Sequence, residues 1–330
     1  MECIGVCGTA ISPVAVQCLE STACLHLEFQ RPMTVPNKGR ARILPLGLVF
    51  LAVASVGWGL NFPIMKYLLS EWPPLSSRGL SGMVGAAALA LVAALQRQRL
   101  AVPRRMWLRL MLASLLTISA WVAFMGLALV WLDAREAAVL AISVPVWVAL
   151  LAWPVLGERL SLLRAVALMV ALGGIFILIG GNSIDAGIGK LPGLLMALTG
   201  AVCVGLGTVL TKHFPLRMPP TSLAAWQIGI GCLPVAIAGL VIEQPQLGAL
   251  SAVGWASMIY MTLIQFCLCY VCWFAALERL PAATASIGTL LVPVVGVLSA
   301  AAMLHEPFGP RELIALLVAL GGVAVALRAQ

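Results

Sequence analysis

Few side chains in this sequence are suited to chemistry, and those few lie inside long apolar runs. Gln265 stands among residues 256–275, which are otherwise apolar or weakly polar. A buried amide needs partners for its donors and for its acceptor, so Gln265 either lines a polar path or bridges two helices. Ser143 precedes Pro145 and Thr289 precedes Pro293; Ser119 and Trp121 lie together, as do Trp58 and Asn61, and Trp273 follows Gln265. A lone Ser or Thr in an apolar helix commonly bonds its own backbone, whereas a tryptophan offers a face on which a solute can stack. Each proline removes a donor, so the carbonyls of Ala141 and Thr289 are expected to lack their usual partners. In a membrane such carbonyls are tolerated beside a cavity or a neighbouring helix. Either they receive a solute ammonium or hydroxyl, with Pro145 and Pro293 as hinges, or they mark structural kinks. The chemistry these groups suit is binding of a neutral or zwitterionic solute within the membrane.

Other constellations argue against catalysis. The histidines are His26, His213 and His305, none in a nucleophile–base arrangement, and no H-E-x-x-H spacing occurs. In the run CLCYVC, helical geometry puts only Cys269 and Cys272 on one face, with Cys267 pointing elsewhere. Neither a metal site nor a disulfide framework is expected from it, and no cofactor is implied. No Asp or Glu falls at the centre of an apolar run, where a proton relay would be recognised. Any proton coupling would use Glu158 and Glu306 near run ends or an indirect route.

Composition says what must hold these groups in place. Hydrophobic residues make up 62% of 330, charged residues 10%, and mean hydropathy is +1.06. A crossing needs about 20 apolar residues in helical form. Ten runs qualify: 43–64, 74–95, 107–129, 134–156, 162–181, 190–211, 221–242, 252–275, 281–303 and 310–327. Their length and continuity mean helices rather than barrel strands. The expected fold is therefore all-α, a polytopic membrane protein of ten transmembrane helices, with connections too short for a soluble domain.

The chain also matches itself. Shifted by 148 positions without gaps, Ala128–Gly174 falls on Ala276–Gly322 with 19 of 47 residues identical. Pro145 lands on Pro293, Glu158 on Glu306, and Gly173-Gly174 on Gly321-Gly322; a second register puts Gly59 on Gly205 and Lys66 on Lys212. This gives a first repeat over 43–181 and a second over 182–330, preceded by an extension over 1–42 in which Met33 is a candidate start. Five helices per repeat is an odd number, so the repeats must be inverted, as in secondary transporters.

The net charge of +8 does not point to nucleic acid, because it follows the membrane sides. With a cytoplasmic N-terminus, 15 Lys and Arg fall on the inner side and 5 on the outer, a positive-inside bias. Both termini are then cytoplasmic, in an inner (plasma) membrane, and the partners are a small solute and lipids, with a homodimer possible. Lys66, Arg78 and Lys212 lie near run ends, where long cationic stems reach head groups. Glu158 on the inner side and Glu306 on the outer are expected to accept from the following helix's first amides, as architecture or as gates. Trp72, Trp107, Trp131 and Trp255 read as interfacial anchors, and the Gly-Gly pairs as close-packing sites.

The stretch Trp58-Gly59-Leu60-Asn61-Phe62 with Lys66 resembles the first-helix signature of EamA-type members of the drug/metabolite transporter superfamily. Leu156-Gly157-Glu158-Arg159-Leu160-Ser161 resembles that family's motif after the fourth helix, and Leu304-His305-Glu306-Pro307-Phe308 its repeat after the ninth. Two departures stand out: Arg78 lies about one turn earlier than the family's second-helix arginine, and His305 replaces a common glycine. The resemblance implies a 5+5 inverted repeat that exports or exchanges small metabolites, often amino acids or related compounds. An integral-membrane enzyme, or a channel or structural protein, is the alternative.

Overall fold

The computed structural model describes residues 37–157, 162–179, 184–216, 218–280, 288–306 and 308–328. Among them every regular element is helical, and ten segments build the unit Leu44–Gln330. They are α1 (Pro45–Leu68), α2 (Pro74–Leu95), α3 (Arg104–Trp131), α4 (Ala134–Leu156), α5 (Leu162–Ile179), α6 (Gly189–His213), α7 (Pro220–Glu243), α8 (Ala252–Leu277), α9 (Leu291–Leu304) and α10 (Pro310–Arg328). Seven of these are long and apolar enough to cross a membrane; the described part of α9 and the core of α10 are shorter apolar helices. Residues 1–36 of the extension, Glu158 and residues 281–287 lie outside the described residues.

The outer face of the bundle is apolar, unlike that of a water-soluble one. Each helix presents large apolar side chains outward, such as Val53, Leu91, Leu112, Leu150, Leu162, Leu195, Ile237, Ile259, Leu298 and Leu317. Small and weakly polar residues face inward, including Ala54, Ser55, Ser76, Ser77 and Ser81. Lipid tails reward no helix for hiding leucine, so close backbone approach at small residues drives packing instead.

The inverted repeat is visible in how the helices pair. The helix α2 packs along α7, α5 along α10, and α4 against α9, each pair joining corresponding members of the two halves. Gly59 on α1 lies so close to α9 that a Cβ there would stand 2.6 Å from Val295 and 2.8 Å from the Val292 carbonyl. Gly205, its counterpart on α6, meets Trp147 and Val148 of α4 in the same way, at 2.9 and 3.2 Å. The duplicated glycines are thus duplicated contacts between a repeat's first helix and its partner's fourth.

Helix ends repeat the relation. At one end of the bundle, Glu243 accepts from the amides of Leu75 and Ser76 (3.0 and 2.7 Å) and from the Ser76 hydroxyl (2.6 Å), capping α2. At the other end, Gln98 accepts from the amide and hydroxyl of Ser222 (3.2 and 3.4 Å), capping α7. Each cap supplies the acceptors that a helix N-terminus lacks. The C-termini of α4 and α9 also match: Gly157 and His305 both take left-handed backbone, with φ of 70° and 54°. Glycine adopts this without steric cost, whereas a side chain there costs about 1 kcal/mol. His305→Gly is therefore expected to raise stability by about 1 kcal/mol, measured as a higher melting temperature in detergent.

Candidate functional site

Among the described residues, four polar atoms in the interior are buried with no hydrogen-bond partner: Asn61 Oδ1 on α1, Arg78 Nε on α2, Trp147 Nε1 on α4 and Gln265 Oε1 on α8. Such atoms are rare because each carries an uncompensated desolvation cost, and inside a membrane they mark solute or ion pathways. Two are acceptors and two are donors. Asn61 and Gln265 were expected from sequence. Trp147 was missed, although it follows Pro145 by two residues and packs on Gly205.

Helix spacing organises α1 around this set. Trp58, Asn61 and Met65 recur at helical intervals and share one face. Trp58 stands edge-on to Tyr270, with ring centroids 5.5 Å apart and planes at 78°, and tilted on Trp273 at 5.8 Å. The expected residues Trp58 and Trp273 are thus brought together, with Tyr270 as an unforeseen third member. A π-helical segment, Tyr260–Leu268, carries Gln265, and another, Leu115–Ser119, ends at Ser119 in the matching helix of the first repeat. Widened turns of this kind disrupt the regular backbone ladder and recur at functional sites; no residue pattern announced them.

The other candidates have local partners. Ser143 donates to the Leu140 carbonyl at 2.7 Å, the backbone bond common for a helical serine. Ser119 donates to the Gly231 carbonyl, so it ties α3 to α7. Trp121 packs near Gly200 of α6 rather than joining the Trp58 group. Thr289 is engaged by a contact of its own.

The expectation that the carbonyls of Ala141 and Thr289 stand open is corrected. The amide of Val144 donates to Ala141 O at 3.2 Å, and that of Val292 to Thr289 O at 3.0 Å. Each bond spans three residues, the tighter turn that remains available when proline removes the four-residue donor. The helix is interrupted at 141–142 in α4 and at 289–290 before α9, at equivalent places in the two repeats. What the prolines supply is a pair of matched breaks, not a pair of free acceptors.

The charged residues are also placed differently from expectation. Lys66 does not reach toward head groups: its ammonium donates to the carbonyls of Leu129 and Leu132 at 2.7 and 2.8 Å. That closes the C-terminus of α3 with a cation, where the helix dipole favours one. Glu306 does not cap the helix that follows it. It accepts from the amides of Ala134 and Arg135 at 2.8 and 3.0 Å, capping α4 of the other repeat. Around this junction Glu136 and Asp133 form a capping box, and Lys190 from α6 pairs with both, at 2.8 and 3.0 Å. These pairs form a collar joining α1, α3, α4, α6 and α9 at one end of the bundle. Beside it, donation from the Ser251 hydroxyl and amide holds the Glu71 carboxyl below the usual carboxylate range. Trp72 is not an interfacial anchor either; it is buried, and its indole donates to the Gln246 carbonyl at 2.8 Å. Lys212 is exposed and has a partner.

Arg78 departs furthest from expectation. It is 1% exposed, one of the largest fully buried side chains, and so cannot snorkel. Its guanidinium donates to the Met65 thioether, a weak acceptor. The cysteines of α8 pack as small residues, Cys269 and Cys272 against Ala54, and among the described residues no group of three metal-ligating side chains assembles. The interior therefore offers orphaned donors and acceptors, one cation, and an aromatic cluster.

Comparison with known proteins gives concordant results. The model of the EamA-like transporter family matches residues 45–180 and 191–328. The chain is 29% identical over 300 residues to a Salmonella typhimurium protein named probable amino-acid metabolite efflux pump, covering 84% of this chain and 93% of that one. It is 26% identical over 267 residues to the uncharacterized transporter YvbV of Bacillus subtilis, covering 78% and 84%. One solved crystal structure superposes with a TM-score of 0.63 at 20% identity, over 85% of this chain and 96% of that one, which supports the shared fold.

Proposed function

We propose, from the premise that this chain belongs to the EamA-like transporter family and is a membrane transporter, that it exports or exchanges an amino acid or a related zwitterionic or amphipathic metabolite by alternating access. The observation that carries this reading is the set of four unpartnered interior atoms on α1, α2, α4 and α8. Two acceptors and two donors without protein partners match a solute that brings both an ammonium and a carboxylate. The matched breaks at 141–142 and 289–290 support alternating access, because a rocking carrier bends corresponding helices in its two halves. The relatives named as amino-acid metabolite efflux pumps support the solute class. The positive-inside bias supports an inner membrane with both termini cytoplasmic. An enzymatic role has less support: His305 serves as a helix C-cap and His213 rests against the Phe214 ring.

Counterflow in proteoliposomes tests the proposal. Vesicles preloaded with apolar amino acids are expected to accumulate labelled amino acid transiently and with saturation. Gln265→Ala is expected to lower the initial rate about tenfold at unchanged membrane abundance, as for loss of one hydrogen bond made to solute. Linear, non-saturating flux would reject the carrier reading, and equal loss of folded protein and rate would make Gln265 a structural bridge.

A further inference from the structure

Among the described residues, Arg78 is a cation buried in the membrane interior without a carboxylate partner. The acids whose side chains are described are committed elsewhere: Glu243 to the start of α2, Glu71 to Ser251, Asp133 and Glu136 to Lys190, and Glu306 to the start of α4. Among the described residues, the titratable groups that interact electrostatically with the guanidinium are Cys232 on α7 and Tyr270 on α8, both uncharged in their ordinary state. One of its five donors is used on Met65, and Nε has no acceptor at all. The bundle nevertheless makes room for it. A Cβ at Gly126 on α3 would stand 2.8 Å from the Arg78 Cδ, so glycine there accommodates the stem. A guanidinium placed so deliberately, with its fork left open, suits a planar two-oxygen anion that accepts two parallel bonds.

Its surroundings say what the anion belongs to. Met65 lies on the α1 face that also carries Asn61 and Trp58, and Trp58 spans about 10 Å of helix from Met65. Tyr270 stands edge-on to the Trp58 ring and is close enough to interact electrostatically with Arg78. Along that face the Arg78 guanidinium gives way to an unpartnered carbonyl acceptor at Asn61 and then to aromatic rings.

We propose that Arg78 binds the carboxylate of the transported solute, with Asn61 accepting from its ammonium and the Trp58–Tyr270–Trp273 group covering its apolar part. This rests on the reading of the protein as an amino-acid-type carrier and narrows it: α-amino acids with apolar or aromatic side chains are ligands, whereas their amides and the corresponding amines are not. Because Arg78 is sealed in this conformation, the solute reaches it only when the helices around it part. A strut role for Arg78 makes the opposite prediction for stability. Removing a strut destabilises the empty protein, whereas removing an unpaired buried charge relieves its desolvation cost.

The test uses purified full-length protein, wild type and Arg78→Met, in detergent and in proteoliposomes. The probes are L-phenylalanine, L-leucine, 3-phenylpropionate, L-phenylalanine amide and 2-phenylethylamine. Empty Arg78→Met is expected to melt about 2–4 °C above wild type. The three carboxylates are expected to raise the wild-type melting temperature and to leave that of Arg78→Met unmoved, while the amide and the amine shift neither. Counterflow of L-phenylalanine is expected to fall about 30-fold or more in the variant, as for truncation of one member of a buried charge pair. Arg78→Lys keeps the charge without the fork and is expected to recover part of the binding. A carboxylate-dependent shift lost in Arg78→Met, but without amino-acid counterflow in wild type, would retain the anion site and remove the amino-acid carrier. Counterflow indifferent to the carboxyl group, no carboxylate-dependent shift in wild type, or an Arg78→Met protein that melts lower and keeps the shift would overturn the role of Arg78 while leaving transport intact.

Discussion

Gly79→Leu is expected to yield no monodisperse protein. Gly79 sits where α2 crosses α7, and a Cβ at this position would stand 2.5 Å from the Ala236 Cα and 2.9 Å from the Val235 carbonyl carbon. The obstruction is backbone on both sides, so no rotamer change relieves it. Overpacking of a well-fitted core costs about 1–3 kcal/mol when side chains can shift, and more than about 3 kcal/mol is expected where they cannot. The crossing also sets the register of the α2–α7 pair, on which the Glu243 and Gln98 caps at its two ends depend. Displacing the helices by the width of a side chain would break both. Gly173→Leu is the control, since a Cβ at Gly173 meets nothing within 4 Å. Size-exclusion profiles after mild solubilisation separate the two variants. A folded Gly79→Leu protein with wild-type melting would show that the crossing is looser than its geometry implies.

Replacing both Pro145 and Pro293 by alanine is expected to stabilise the protein and slow it. Alanine restores an amide donor to each turn, which can close the ordinary four-residue bond to Ala141 and to Thr289 in place of the three-residue bonds now made by Val144 and Val292. A proline inside a helix costs about 3 kcal/mol relative to alanine in a regular host. The surrounding bundle has accommodated these breaks, so the expected gain is smaller, about 1 kcal/mol for each site. If the breaks are where α4 and α9 bend as the halves rock, repairing them removes compliance at equivalent points on both sides. Turnover in counterflow should then fall about tenfold or more in the double variant at unchanged apparent affinity, with each single variant intermediate. Higher melting with unchanged turnover would assign both prolines to static shape.

The class of the protein, its succession of apolar helices and its duplication were legible in the sequence because each is written in one dimension. Apolar length answers to bilayer thickness, and an ungapped self-match answers to a repeated unit, whatever the contacts are. The odd number of expected crossings per repeat implied the inversion, and the pairing of α2 with α7 and of α5 with α10 accords with a two-fold relation between the halves. Even Gly59 and Gly205 were found as a pair, though only their packing on Val295 and Trp147 shows why neither carries a side chain.

What only the tertiary structure decided is who partners whom. Sequence spacing could offer Glu306 the helix next to it, but the amides within reach belong to a helix some 170 residues away. It could give Lys66 and Arg78 equal standing as cations near run ends. One proves to close a helix C-terminus, the other to lie sealed between α1, α2 and α3 with its donors open. Hydrogen-bond satisfaction is a three-dimensional sum over neighbours that the chain order does not rank. For that reason the chain could offer candidate polar residues, while the division between bonded and unbonded interior atoms had to come from the structure.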